Sequence, residues 1–142
     1  MFSRGLREVV LIVDDVEAST AFYRDVVGLE LQPQQTSDWA WFYAGDPERR
    51  QRLGIHKGTL LFENQPAAPG GERWGPVHFA LQVEPDELVG AVEHLRSHGI
   101  EVFGPHQFGD IADAYFFYDP DDNLVEFFAY VDTYQPPPPL GS

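Results

Sequence analysis

Three residues of this 142-residue chain sit in patterns that a plain apolar core does not explain. In Val77 to Val83 (VHFALQV), strict alternation puts His78 on one strand face with Ala80 and Gln82 and leaves Phe79, Leu81 and Val83 on the other. The imidazole therefore lies on the polar face. In Leu124 to Tyr130, Glu126 shares a face with Leu124 and Phe128, where an apolar residue is expected. A carboxylate held there costs free energy unless a hydrogen bond, a charge or a metal compensates it. Glu8 opens an earlier strand, Glu8 to Val13, with Val10 and Ile12 on its face. Acid–base or metal-binding chemistry is what such groups could supply.

A second set is aromatic. Trp39 and Trp41 share one face of a strand, Trp74 lies in a Pro/Gly-rich stretch, and Tyr115 and Phe117 belong to a late strand. Most aromatics in a chain of this size are core. Those that line a cleft suit a flat or cationic ligand, and Trp39, Trp41, Trp74, Tyr115 and Phe117 are the candidate lining residues.

The elements that must position these groups follow from local signals. After Glu8 to Val13, Asp15 can cap a helix with Ala18, Phe22 and Val26 on one face, and Gly28 stands just past its end. Leu29 to Gln32, Trp39 to Tyr43 and Leu53 to Phe62 read as strands, completing βαβββ. Asn64 to Gly75 (NQPAAPGGERWG) reads as a linker. Val77 to Val83 is then a strand, Pro85 to His98 a helix with Leu88, Val92 and Leu95 on one face, and Gly99 its terminator. Ile100 to Phe103, Ala114 to Tyr118 and Leu124 to Tyr130 supply three more strands. The expected layout is one domain over 1–142, with modules at 8–63 and 76–130, a linker at 64–75 and a Pro-rich tail at 131–142 of polyproline type.

The two halves repeat. Val13 and Val83 end equivalent strands at an offset of 83−13=70, and Gly28-Leu29-Glu30-Leu31 recurs as Gly99-Ile100-Glu101-Val102 at 99−28=71. Asp46-Pro47 recurs as Asp119-Pro120 at 119−46=73. Near-constant offsets mean a duplicated unit. The fold class is therefore α+β, two paired βαβββ modules forming a half-open, barrel-like cleft. The repeat also pairs Glu8 with His78 (78−8=70) and Leu53 with Glu126 (126−53=73).

Composition narrows the function. An apolar fraction of 43% supports a globular core, and no apolar run approaches the roughly 20 residues of a membrane span. Nine Lys and Arg against 23 Asp and Glu give a net charge of −14, which repels nucleic acid and anionic lipid. No nucleic-acid or membrane partner is expected. The absence of cysteine excludes disulfides and thiolate metal sites. Without an export signal at the start, the cytoplasm is the expected compartment.

The stretch VVLIVDDVEASTAFYRDVVGLEL resembles the opening β-α-β signature of the vicinal oxygen chelate superfamily, the glyoxalase/bleomycin resistance protein/dioxygenase family. VHFALQVE, GIEVFGP and YFFYDPDDNLVEFF are similar to its closing module, so the resemblance runs from Glu8 to Tyr130. It implies metal ligands from the first and last strands of each module, here Glu8, Leu53, His78 and Glu126. Leu53 cannot ligate, which leaves Glu8, His78 and Glu126 as metal ligands, with Glu8 and Glu126 as catalytic carboxylates. That resembles the three-ligand sites of extradiol dioxygenases and fosfomycin thiol transferases, with Glu8 where those use histidine. His56 could serve if the alignment slips, but it alternates opposite Leu53 and ranks below Glu8, His78 and Glu126 as a ligand.

One His and two carboxylates suit Mn²⁺, Fe²⁺, Zn²⁺, Ni²⁺ or Co²⁺, with positions left for two oxygens of a small-molecule substrate. Glu8 could then act as a base. The expected function is a divalent-metal-dependent lyase, isomerase or oxygenase. The alternatives are a bleomycin-resistance-like protein that sequesters an antibiotic-like ligand, or a satisfied His78–Glu126 cluster that binds no metal. The resemblance also implies a homodimer. His94 and His98 read as surface helix residues, His106 as a loop residue near the cavity, and Arg49, Arg50 and Arg52 as a solvated turn.

Overall fold

Asp15 starts the first helix as its sequence requires. Its extended backbone lies outside the helix, and its carboxylate accepts from the Ala18 amide at 3.0 Å, satisfying one of the orphan first-turn donors. The helix α1 (Val16–Ala21) runs on through a wider turn over Phe22–Val26, closed by the Val27 amide donating to the Phe22 carbonyl at 3.0 Å. That bond spans five residues and not four, so the turn is of π type. Gly28, at φ +85°, ends it.

In this computed structural model the described residues are 6–33, 35–49, 51–57, 77–131, 133–135 and 138. The expected linker, Trp74, the far end of the expected strand to Phe62 and most of the Pro-rich tail lie outside them.

Among the described residues, eight strands form two four-stranded sheets. The first holds β1 (Glu8–Ile12), β2 (Glu30–Leu31), β3 (Trp39–Tyr43) and β4 (Arg52–His56) in the order β1-β4-β3-β2, with β1 parallel to β4. The second holds β5 (His78–Gln82), β6 (Phe103–Phe108), β7 (Ala112–Tyr118) and β8 (Leu124–Tyr130) in the order β5-β8-β7-β6, with β5 parallel to β8. Identical order and identical parallel pairing establish the duplicated α+β layout. The sixth strand falls later than the sequence suggests, at Phe103–Phe108 and not Ile100–Phe103; a cis Gly104–Pro105 bond lies within it.

The chain divides into two compact units. One comprises residues 1–77 together with Asp119–Asn123, the other 78–118 with 124–142. The turn between β7 and β8 thus belongs to the first unit. There Asp119, 4% exposed, accepts the Tyr23 hydroxyl at 2.6 Å, the Asn123 side-chain amide at 2.8 Å and the backbone amides of Asp121 and Asn123. Asp121 accepts in turn from the Asp14 amide and the Ser19 hydroxyl. Every lone pair of a buried carboxylate is used, which is what keeps it tolerable in the core. Burial and the neighbouring Asp119 charge push the Tyr23 hydroxyl far above its ordinary range.

The core of the first unit lies under one sheet face: Leu11, Ala40, Phe42, Leu53 and Ile55 are all at most 2% exposed, and Tyr23 packs its ring against Phe42 at 5.9 Å. The buried face of α1 and its extension is Val16, Ser19, Thr20, Phe22 and Tyr23; of the expected Ala18, Phe22 and Val26, only Phe22 is buried. In the second unit, α2 (Leu88–Ser97) buries Leu88, Val92 and Leu95, as its spacing predicts. The sheet face carrying Val125, Phe127, Ala129 and Phe117 is buried too. The helix ends in the Schellman pattern, with Ile100 N–H to Leu95 C=O and Gly99 N–H to Arg96 C=O, and Gly99 takes φ +75°.

Candidate active site

The ladder of the second sheet fixes which residues share its open face. His78 pairs with Leu124, Ala80 with Glu126 and Gln82 with Phe128; Glu126 pairs across β7 with Phe116, and Phe128 with Ala114. Paired residues point to the same side, so His78, Glu126, Phe116, Ala114 and Phe128 form one surface. His106 joins it through its pairing with Ala114.

On that surface His78 Nε2 and Glu126 Oε2 are 3.0 Å apart. Glu126 is 5% exposed, whereas half of the His78 side chain is open to solvent. An ionised carboxylate only accepts, so Nε2 carries the shared proton when the pair is a hydrogen bond. The same spacing fits a metal. Two ligands each about 2.1 Å from a divalent ion at right angles are about 3.0 Å apart. An imidazole and a buried carboxylate are donors that Mn²⁺, Fe²⁺, Zn²⁺, Ni²⁺ and Co²⁺ accept. Among the described residues, no group of three or more His, Asp or Glu is gathered as for a metal.

Tyr115 and Phe117 do not line this face, contrary to the sequence expectation. They alternate with Phe116 and so point to the other side, where Phe117 is fully buried with its ring 5.0 Å from Phe127. Phe116 takes their place, with ring centroids 6.1 Å from His78 and 6.4 Å from His106.

In the first unit the corresponding open face carries Glu8, Trp39, Trp41, Tyr43, Arg52, Gly54 and His56. Glu8 accepts from Arg52 Nη2 at 3.2 Å, and the Arg52 guanidinium lies 3.7 Å over the Trp41 ring. Arg52 is thus no turn residue: it is stacked and ion-paired within β4. Its Nε and His56 Nδ1 are buried without a hydrogen-bond partner.

The two registers also correct the fourth position. Glu8 pairs with Arg52 as His78 pairs with Leu124, so β4 and β8 are offset by 124−52=72 and Glu126 corresponds to Gly54 (126−54=72), not to Leu53. Leu53 faces the core and is 2% exposed. His56, opposite Leu53, is therefore on the open side. A Cβ on Gly54 would stand 2.5 Å from Trp41 Cζ3, so the indole occupies the space that a ligand side chain would need. A cavity of about 890 Å³ in the first unit, bordered by Asp14, Glu17, Thr20, Arg24 and Lys57, touches neither Glu8 nor Arg52.

Two sheets of the same order, each with a polar cluster on its open face, define a duplicated α+β protein that carries the His78–Glu126 pair on its second sheet. A family model matches residues 5–127, and the chain belongs to the glyoxalase/bleomycin resistance protein/dioxygenase superfamily. An integron cassette protein from the mobile metagenome of a Halifax Harbour sewage outfall is 26% identical with a TM-score of 0.70, covering 89% of this chain and 99% of that one. A lactoylglutathione lyase from Agrobacterium tumefaciens is 24% identical at TM-score 0.71, over 91% and 96% of the two chains. The fosfomycin resistance protein FosX from Listeria monocytogenes, solved with Mn(II) and sulfate, is 23% identical at TM-score 0.67, over 92% and 94%. No curated protein matches. Among the described residues no helix is long and apolar enough to cross a membrane.

Proposed function

We propose that this protein is a divalent-metal-dependent enzyme acting on a small molecule with adjacent oxygens, by lyase, isomerase or oxygenase chemistry. The buried Glu126 facing a half-exposed His78 at 3.0 Å on an open sheet face carries this reading. Both residues are metal ligands in it. Glu8 is proposed as a further carboxylate ligand from the family resemblance alone; its ion pair with Arg52, about one-third exposed, is worth about 1 kcal/mol or less. The bound cation would supply Lewis acidity. The chain's own part is to hold the cation, to seat the substrate against Phe116, and to give or take a proton at Glu8 or Glu126. The Mn(II) complex of FosX supports a cation in this fold. The expected test is metal content of purified protein, with stoichiometric metal in the wild type and loss in His78→Ala and Glu126→Ala.

A second reading is retained because Trp39, Trp41 and Tyr43 share a face with a stacked arginine. Such a surface suits sequestration of an aromatic ligand without chemistry. It predicts ligand binding that is indifferent to metal. We also propose a homodimer in the cytoplasm, the former checked by light scattering against the 16.1 kDa chain mass.

A further inference from the structure

We infer a second metal site, on α2, formed by His94 and His98 and selective for borderline divalent ions in the order Cu²⁺ over Ni²⁺ and Zn²⁺. It rests on nothing said above about His78 and Glu126.

The two histidines are four residues apart in the last turn of α2, His98 being the residue that caps it. That spacing stacks side chains on one helix face. Both residues are exposed. Their ring centroids are 4.7 Å apart and the planes cross at 59°. This separation is one that a shared cation accommodates. An imidazole nitrogen about 2.0 Å from the ion puts the ring centroid about 3.2 Å from it, so two cis imidazoles place their centroids roughly 4.5–5 Å apart. A face-to-face ring stack would bring the planes parallel instead. Arg96 is two residues from each histidine, about 200° away around the helix, so its charge does not stand in the chelate.

Two further features favour a cation here. The site is at the C-terminal end of a ten-residue helix, where the carbonyls present the negative end of the helix dipole. The chain as a whole carries a charge of −14. Imidazole pairs without thiolate or carboxylate follow the divalent order with Cu²⁺ at the top. Water completes the coordination, so the site is a bidentate chelate open to solvent. Because the helix holds the two imidazoles at chelating spacing and the unfolded chain does not, the ion binds the native state more tightly and stabilises it.

The test uses untagged, EDTA-treated protein titrated with CuCl₂, followed by calorimetry and by electron paramagnetic resonance. It is run in the His78→Ala background, which removes the imidazole of the proposed enzyme site and leaves α2 intact. The expected result is one Cu²⁺ per chain with nitrogen couplings from two imidazoles, a higher Tm, and loss on the order of 10²-fold in affinity in either His94→Ala or His98→Ala. Both histidines are exposed, so circular dichroism should show both variants folded. Unchanged affinity in either single variant would overturn the inference, because a lone imidazole would then be the ligand. Absence of saturable sub-millimolar binding would overturn it too.

Discussion

Tyr23 and Asp119 are the most completely buried polar pair described, and their 2.6 Å hydrogen bond ties the β7–β8 turn to the extension of α1. Replacing Tyr23 by Phe should lower stability by about 1–2 kcal/mol, measured by urea unfolding, since one acceptor position of a buried carboxylate goes unfilled. The variant should also change the alkaline limb. The folded-state ionisation of Tyr23 lies far above the ordinary value of 10.0, because burial and Asp119 oppose the phenolate. Below pH 10 both states keep the proton and the contribution is whole; above it the unfolded chain ionises first and stability falls as pH rises. Tyr23→Phe should therefore lose stability less steeply between about pH 10 and 11. The buried stripe was not legible in the sequence: Val16, Ser19, Thr20 and Tyr23 follow the same α-helical spacing as Ala18, Phe22 and Val26, but Ser19 and Thr20 are polar, so an apolar pattern selects the other stripe. The strand faces of His78 and Glu126 were legible, because alternation in a strand assigns each residue a side.

At the scale of elements, two glycines separate packing from backbone strain. Gly54 has ordinary backbone angles but faces the Trp41 indole, so Gly54→Ala should cost about 1–3 kcal/mol by displacing the ring and the guanidinium stacked on it. Gly99 has open space around its Cβ direction but φ +75°, so Gly99→Ala should cost about 1–2 kcal/mol through conformation alone. Double mutants with Trp41→Ala distinguish them: the indole's removal should relieve the first and leave the second untouched. Cap and terminator signals at Asp15, Gly28 and Gly99 were readable because each is a local bond pattern. The fourth ligand position was read one residue off, at Leu53. Repeat offsets drift by one or two residues between elements, and only the observed pairing of Glu8 with Arg52 and His78 with Leu124 fixes them. Arg52 was misplaced for a different reason: β4 starts one residue earlier than expected, and three arginines near a Pro-initiated turn look solvated until that boundary is known.

For the whole molecule, duplication was visible because the motifs of both halves survive, and each half builds its own four-stranded sheet with the same order. What the repeat did not reveal is that Asp119–Asn123 belongs to the first unit, since that membership is made by tertiary hydrogen bonds to Tyr23, Ser19 and Asp14. A charge of −14 on 142 residues opposes compaction through self-repulsion. Raising NaCl from about 10 mM to 150 mM shortens the screening length from roughly 30 Å to 8 Å and should raise Tm.

Whether His78 and Glu126 hold a functional divalent ion is decided by elemental analysis of purified protein after incubation with Mn²⁺, Fe²⁺, Ni²⁺ and Zn²⁺ followed by desalting, in a background where His94→Ala and His98→Ala remove the α2 pair. About one ion per chain is expected, lost in both His78→Ala and Glu126→Ala. Retention of the ion in those two variants, or no bound ion at all, would contradict it.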